Sequence, residues 1–272
     1  MDADLLVKCQ SLFSESFGGE VDISDELEFF NECSHSAWFV AMRANEPIGF
    51  IRQFAINDSQ CRGELYVKGQ NESVADMLVE KFAHSFAPEH ETSVSFVFGH
   101  KEEHLISACK KIGLAEAEET FFSYVYPPTK KAPKLDSGVR LATVDEASDV
   151  KSILSSLVNR PLQHLISTVK EGRLFVLSSD DDVVAAAECS LNDERVEVIT
   201  ISVKESCLCG GFGTRLLQGI VAKCRANHPD TVIHAVCRAE NIAAQRMNDR
   251  AGFDRDPDND ETWLFSQFPI LD

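Results

Sequence analysis

Residues 201–224 read ISVKESCLCGGFGTRLLQGIVAKC. The segment begins as a strand ending at Val203, passes through glycines at positions 210, 211 and 213, and ends with apolar residues spaced along one helical face. A glycine turn before a helix suits an anion, because the unpaired N-terminal amides and the helix dipole attract negative charge and glycine lets backbone approach phosphate. The segment therefore predicts a phosphate-binding turn between a strand and a helix, although a glycine pair before a helix is also compatible with a plain turn.

A proline- and lysine-rich segment separates the two halves of the chain. Residues 127–134 read PPTKKAPK and interrupt the apolar pattern. We therefore place a linker at 128–137, between a domain at 1–127 and a second domain at 138–272. A chain of 272 residues is also more typical of two domains than of one.

The second domain is predicted to follow the order βααβββαβαβ. Thr143 and Glu146 form a capping-box pattern that opens a helix to about Val158, and Pro161 starts another that ends near Gly172. The remaining segments are strands at 139–142, 174–177, 183–189, 196–203, 231–236 and 262–265, a helix after the glycine turn, and a helix at 242–250 closed by Gly252.

The first half repeats this order without the leading strand. The predicted helices are at 5–13, 26–32, 73–86 and 102–111, and the predicted strands are at 37–42, 48–54, 64–67, 94–98 and 121–126. Such a repeat predicts a duplicated α+β fold, in which each domain is a mostly antiparallel mixed sheet flanked by helices.

The strand, the glycine turn and a later segment at 241–253, NIAAQRMNDRAGF, together resemble the GNAT superfamily of acyl-CoA-dependent N-acyltransferases. In that family a strand ending in Val leads to an (Arg or Gln)-Gly-x-Gly-x-Gly turn. A later helix reads Asn-x-x-Ala-x-x-x-Tyr and closes in Gly-Phe. The resemblance covers residues 138–267 and implies a tandem form with two GNAT-like domains.

The resemblance also implies a set of coenzyme-binding residues. The pyrophosphate would lie on the backbone amides of Leu208, Cys209, Gly210, Gly211, Phe212, Gly213 and Thr214. The pantetheine arm would bind the backbone of Ile201 and Val203, and Asn241 would contact the coenzyme beyond the turn.

Three residues depart from the family pattern. Leu208 replaces the usual Arg or Gln, and Cys209 replaces the first glycine, but both positions act through backbone amides. Asn248 replaces the tyrosine that often protonates the departing thiolate, and an amide cannot act as a general acid. Another group therefore supplies that proton, or the thiolate leaves unaided, or the domain binds the coenzyme without turnover.

Amine acylation also needs a group that takes a proton from the attacking nitrogen. Glu197 and Glu188, on neighbouring predicted strands, are the candidates, and simple alternation places Glu197 on one face with Ile199, Ile201 and Val203. The alternative interpretation is that each is an ordinary solvent-exposed glutamate of a strand. Cys207 and Cys209 in the turn are expected to be incidental thiols.

The corresponding turn of the first half is VKGQNES at 67–73. It has one glycine and places Glu72 at the start of the helix, where a carboxylate would compete for the amides and repel pyrophosphate. We therefore expect the first domain to be a degenerate copy that binds no coenzyme.

Two other site types have weaker support. Residues 100–104, HKEEH, match an inverted zinc-peptidase pattern, but no third ligand helix follows, so we expect no metal. Leu216 stands where a dinucleotide-binding turn would need its third glycine, and an antiparallel meander precedes the turn.

The net charge of −18 opposes binding to nucleic acid and to anionic membranes, and is compatible with cationic substrates. No targeting segment or membrane-spanning run is evident, and the nine scattered cysteines suit free thiols in a reducing compartment. The sequence therefore predicts a cytoplasmic protein.

The resemblance implies that the chain transfers an acetyl or other short acyl group from acetyl-CoA to a primary amine of a small molecule or peptide. The amine would attack directly within a ternary complex. The departure at Asn248 leaves a second interpretation open, a non-catalytic module that senses acyl-CoA or binds a partner.

Overall fold

The computed structural model describes Leu5, Lys8, Cys9, Leu12 and residues 38–57, 60–86, 92–99, 102–155, 160–180, 182–191 and 195–268. The chain divides into two compact units. Unit 1 contains Met1–Thr120 and Glu261–Asp272, and unit 2 contains Phe121–Asp260.

The described strands are, in chain order, β1 (Trp38–Arg43), β2 (Glu46–Asn57), β3 (Gln60–Val67), β4 (Thr92–Gly99), β5 (Ala117–Tyr126), β6 (Val139–Leu141), β7 (Leu174–Ser179), β8 (Asp182–Leu191), β9 (Arg195–Val203), β10 (Val232–Arg238), β11 (Asp254–Arg255) and β12 (Glu261–Phe268). The described helices are α1 (Glu72–Ser85), α2 (Glu103–Lys111), α3 (Ala147–Leu154), α4 (Leu162–Lys170), α5 (Phe212–Asn227) and α6 (Ile242–Ala251). Short 3₁₀ helices lie at Val144–Glu146, Glu205–Cys207 and Pro257–Asn259.

Unit 1 is a mixed sheet in the order β1-β2-β3-β4-β12. All of its neighbours are antiparallel except β3 and β4, which pair in parallel between Gln60–Gly63 and Ser93–Phe96. The core of unit 1 includes side chains from α1 and α2, and its largest buried members are aromatic: Phe82, Phe96, Phe98 and Phe268.

Unit 2 has the sheet order β5-β10-β9-β8-β7-β6, and β11 pairs with β5. Among its described strands, only β9 and β10 are parallel neighbours. One face of the sheet packs against α5 through Leu216, Leu217 and Ile220. The other face packs against α3 and α4, through residues that include Val150 and Leu165. The predicted α+β class, with mostly antiparallel mixed sheets flanked by helices, is confirmed.

Each unit takes one strand from the other half of the sequence. β12 was predicted to complete the domain at 138–272, but it pairs with β4 and buries Leu264 and Phe268 in the core of unit 1. Residues 121–126 were predicted in the first domain, but they pair with β10 and bury Tyr124 and Tyr126 in unit 2. The apolar pattern of a strand identifies its buried face but not its hydrogen-bonding partner. The division of the chain at 128–137 therefore assigned these two strands to the wrong units.

The helix boundaries follow the local signals in the sequence. Thr143 and Glu146 form the predicted capping box, in which the carboxylate accepts from the Thr143 amide at 2.8 Å and hydroxyl at 3.0 Å. Hydrogen bonds from Arg140 are the main reason that the pKa of Glu146 falls to about 2. Gly252 closes α6 with φ +94°. The predicted helix at 26–32, the helix end near 158 and the turn at 192–193 lie outside the described residues.

Candidate active site

The first turn of α5 has no side-chain cap. Gly211 is the N-cap residue, with φ +76°, and no acidic residue lies in the first turn. Amides at the start of a helix have no carbonyl partner within the helix, so those of Phe212, Gly213 and Thr214 are oriented for an external acceptor. A left-handed N-cap without a Cβ leaves open space beside them, since no atom of the described residues lies within 4 Å of a Cβ built at Gly211.

The turn before α5 uses two of its own amides. The Leu208 amide donates to the Glu205 carbonyl at 3.3 Å, and the Gly210 amide donates to the Cys207 carbonyl at 3.4 Å. Cys209 is exposed and adopts φ +61°, a conformation that favours glycine. The amides best placed for an anion are therefore those of Cys209 and of residues 211–214, a subset of the predicted 208–214.

Gly213 allows three elements to meet closely. A Cβ on this residue would lie 2.8 Å from the Met247 sulfur in α6 and 3.4 Å from Val203 at the end of β9. The absence of a side chain therefore lets the start of α5 approach both the strand that precedes it and the helix that follows.

A gap opens in the sheet of unit 2 directly before this turn. The parallel pairing of β9 with β10 ends at Val198 and Ala235, after which each strand is paired on its other side alone. The gap encloses a cavity of about 130 Å³. The residues that line it include Ile199, Ile201, Asn241 and Asn248. Of these, Ile201 and Asn241 were predicted to contact the coenzyme.

Asn248 presents an unpaired acceptor to this cavity. Its side chain is 2% exposed, and its Nδ2 donates to the Cys237 sulfur at 3.9 Å. Its Oδ1 has no hydrogen-bond partner among the described residues. Leaving a buried acceptor unpaired costs about 1–3 kcal/mol, so a ligand that places an N–H or S–H donor in the gap would relieve this cost. Burial raises the pKa of the Cys237 thiol to about 11.

Asn241 is held at the N-terminus of α6. Its side chain accepts from the Ala244 amide at 3.0 Å and so caps the helix. Because Asn241 also lines the gap, a contact with the predicted coenzyme is open mainly to the amide nitrogen of its side chain.

A bulge at Ile199 reverses the faces of β9. Glu188 on β8 is opposite Thr200, and Cys189 is opposite Val198, so Ile199 has no counterpart on β8. Opposite residues of antiparallel strands share a face. The simple alternation that grouped Glu197 with Ile201 is therefore wrong.

The bulge assigns the predicted residues to two sides of the sheet. Ile201 and Val203 pack against the core that contains α5. Glu197 is opposite Ser190, on the face of Glu188, which is also the face covered by α3 and α4. The candidate carboxylates thus share one side of the gap, and Asn248 lies on the other.

Glu188 is buried beneath the side chains of Arg160 and His164. It is 2% exposed, with its Oε1 3.3 Å from His164 Nε2 and its Oε2 3.3 Å from Arg160 Nε. The alternative of a solvated strand glutamate is therefore wrong for Glu188. Arg160 and His164 could not be selected from the sequence, because they lie 28 and 24 positions before Glu188 and only the packing of α4 on β8 brings them to it. The sequence signal that could have identified His164 was its position four residues before Thr168, on the buried side of the amphipathic helix α4.

Glu197 is solvent-exposed, as the alternative interpretation of an ordinary strand glutamate predicted. Its side chain is 50% exposed and forms an ion pair with Arg195 at 2.5 Å. His234 of β10 lies in register with Glu197, and burial is the main cause that lowers the pKa of this imidazole.

The corresponding positions of unit 1 are filled by its own side chains. Asn71 caps α1 by accepting from the Val74 amide at 3.4 Å, and Glu72 is an acidic residue in the first turn. The ring of Phe96 covers Gly63, where a Cβ would lie 2.2 Å from the nearest ring atom. The start of α1 therefore differs from that of α5, which has neither a side-chain cap nor an acidic residue in its first turn.

The remaining sequence predictions concern metal binding, membrane-spanning helices and the cysteines. Within the part of the chain that the structure describes, no cluster of three or more His, Cys, Asp or Glu side chains could hold a metal ion. His100 and Lys101 of the zinc-like pattern lie outside that part. Among the described helices, none has the length and apolar character to cross a bilayer. The described cysteines are free thiols.

Comparisons with known proteins agree with this architecture. The family model of the Acetyltransferase (GNAT) family matches residues 145–253. No curated protein matches the chain.

Among solved structures, a GCN5-related N-acetyltransferase from Sphaerobacter thermophilus has a TM-score of 0.70 at 14% identity, with 98% of this chain and 93% of that chain covered. A GNAT-family acetyltransferase from Colwellia psychrerythraea has a TM-score of 0.64 at 15% identity, with 97% of each chain covered. A tandem GNAT protein from the clavulanic acid biosynthesis pathway has a TM-score of 0.58 at 11% identity, over 88% of this chain and 85% of that one. These structures share the fold, and the matched segment contains the glycine turn, the gap and α6. The chain therefore carries a domain of the acetyltransferase (GNAT) family over residues 145–253.

Proposed function

We propose that unit 2 binds acetyl-CoA and transfers its acetyl group to a primary amine of a small molecule or peptide, by direct attack within a ternary complex. The observation that carries the proposal is the uncapped start of α5 beside a gap that contains the unpaired oxygen of Asn248. An anionic group and a donor-bearing arm in one ligand would satisfy both features, and coenzyme A combines a pyrophosphate with an arm of amides and a thiol.

The chain's own groups define how such a ligand would bind. The amides of Cys209 and residues 211–214 would donate hydrogen bonds to the pyrophosphate oxygens, and the dipole of α5 would add to the attraction. Beyond Val198, β9 no longer pairs with β10, so backbone groups at Ile201 and Val203 would be offered to the amides of the arm. Asn248 would accept a hydrogen bond from a donor of the arm, which its missing partner favours.

The acceptor amine would approach from the α3–α4 face of the sheet. Glu188 and Glu197 lie on that face, so the candidate groups that influence the proton of the attacking nitrogen are on the side opposite Asn248. The amide of Asn248 can orient the sulfur but cannot protonate it, so the thiolate would leave unaided or take a proton from another group.

We further propose that unit 1 binds no coenzyme, because Asn71 and Glu72 compete for the amides at the start of α1. The free thiols support a reducing, cytoplasmic compartment for the protein.

Two measurements on the full chain test the proposal. Calorimetry should show one molecule of coenzyme A bound per chain. Acetyl-CoA mixed with a panel of primary amines should release free thiol faster than acetyl-CoA and protein alone. If coenzyme A binds but no amine accelerates thiol release, the transferase proposal fails; if coenzyme A does not bind, the site assignment fails as well.

A further inference from the structure

We infer that His164 is the proton acceptor for the attacking amine and that Glu188 is the positioning residue beneath it. The inference rests on the proposed function and adds a group that no sequence motif marks. Glu188 faces the acceptor side but is only 2% exposed, so an amine cannot reach its oxygens. The side chain of His164, 3.3 Å above it, is 39% exposed.

The geometry fixes which imidazole nitrogen is available. Oε1 of Glu188 lies 3.3 Å from Nε2 of His164. An ionised carboxylate can only accept, so Nε2 carries the proton and donates to Glu188. The lone pair is then on Nδ1, which makes this atom the base. A buried carboxylate that orients a histidine in this way also stabilises the imidazolium that forms when the base takes a proton.

Glu188 lies next to the gap in the sheet where the coenzyme arm is proposed to bind. Glu188 is directly opposite Thr200 on β9, and Thr200 lines the gap in the sheet. Opposite Cβ atoms of antiparallel strands are roughly 5 Å apart, so Glu188 is one strand spacing from the gap. His164 stands over Glu188 from α4, on the face where the amine is proposed to approach.

Several charged groups surround the imidazole. Glu188 lies beneath it, and Arg160, from the segment before α4, approaches the other oxygen of that carboxylate at 3.3 Å. Glu171, at the C-cap of α4, is electrostatically coupled to His164. The Thr168 hydroxyl donates to the His164 backbone carbonyl at 3.0 Å and anchors the helix turn that carries the ring.

The proposed step balances atoms and charge. Nδ1 removes one proton from the ammonium form of the acceptor, and the freed lone pair forms a bond to the thioester carbonyl carbon. Collapse of the tetrahedral carbon breaks the C–S bond and releases the thiolate. The nitrogen loses its second proton, which converts the thiolate to a thiol, and the proton held by His164 passes to solvent. The products are an amide, coenzyme A thiol and one proton.

The test compares thiol release by the full chain and by His164→Gln. Acetyl-CoA is the donor, and the acceptor is whichever of spermidine, lysine, tyramine and glycinamide gives the highest rate with the unmodified protein. General-base catalysis contributes about 10²- to 10⁴-fold, so kcat should fall at least about 100-fold while the affinity for coenzyme A changes less than about twofold. The low-pH limb of the kcat/KM profile should disappear in the same variant.

A matched control and a second variant separate catalysis from folding. His84→Gln changes an exposed helical histidine of unit 1 and should leave the rate unaltered. Glu188→Gln should lower kcat by about 10- to 100-fold and move the low-pH limb to lower pH, as expected when a supporting carboxylate loses its charge. Thermal unfolding of each variant identifies any loss of structure, and the exposed His164 carries the test if Glu188→Gln does not fold.

Each outcome decides between the two proposals. If the unmodified protein acetylates an amine and His164→Gln retains more than half of that rate, the assignment of His164 is wrong and the transferase proposal stands. If the unmodified protein binds coenzyme A but none of the amines reacts, the proposed function fails and takes this inference with it.

Discussion

Gly211→Val is expected to weaken coenzyme A binding by more than about 100-fold, because it removes two or more charge-assisted hydrogen bonds worth about 1.5–3 kcal/mol each. Gly211 has φ +76°, and a β-branched residue in that region must move the backbone that presents the amides of residues 212–214. The side chain would also enter the open space where the pyrophosphate is proposed to lie. Isothermal titration calorimetry with coenzyme A measures the effect.

Unit 1 supplies a matched control for this substitution. Gly69 has φ +70° in the corresponding turn, and no atom lies within 4 Å of a Cβ built there. Gly69→Val should therefore cost a similar amount of stability, about 1–3 kcal/mol, without changing coenzyme affinity. If Gly211→Val and the unmodified protein bind coenzyme A with equal affinity, the assignment of the pyrophosphate to the start of α5 is contradicted.

A chain that ends at Asp260 should lose the folded structure of unit 1 and keep the coenzyme site of unit 2. β12 supplies Leu264 and Phe268 to the core of unit 1, and Phe268 packs against Phe82 and Phe86 with ring centroids 5.9 and 4.9 Å apart. Loss of one buried Phe side chain costs about 3–5 kcal/mol, and the truncation also leaves β4 with an unpaired edge.

Hydrogen exchange and calorimetry together measure this effect. Amides of β4 and α1 should lose protection, whereas the affinity for coenzyme A should remain within a few-fold of that of the full chain. Removing only residues 269–272 is the control and should preserve both properties. The strand exchange is contradicted if the chain ending at Asp260 keeps β4 protected or loses its affinity for the coenzyme.

The sequence predicted features that depend on local chemistry. The helix after Gly211, the capping box at Thr143 and the C-cap at Gly252 each follow from a residue type at a fixed position along the backbone. The order of strands and helices from β6 to α6 was predicted for the same reason, since periodicity reports which face of an element is buried.

The features that the sequence did not predict depend on pairing between distant segments. The exchange of β12 and the second half of β5 is a choice of hydrogen-bonding partner, which the alternation within a strand does not encode. The bulge at Ile199 changes the face of every residue beyond it. Glu197 and Ile201 therefore lie on opposite faces of the sheet and not on the same face. His164 reaches Glu188 only because α4 packs over β8.

Amide hydrogen exchange of the full chain with and without acetyl-CoA tests the central claim most directly, because it locates the bound coenzyme without assuming an acceptor. We expect acetyl-CoA to slow exchange at residues 199–203 of β9, at 209–214 around the start of α5 and at 241–248 of α6, and to leave the unit 1 turn at 68–74 unchanged. Protection at 68–74, or none at 209–214 under saturating acetyl-CoA, would contradict the account.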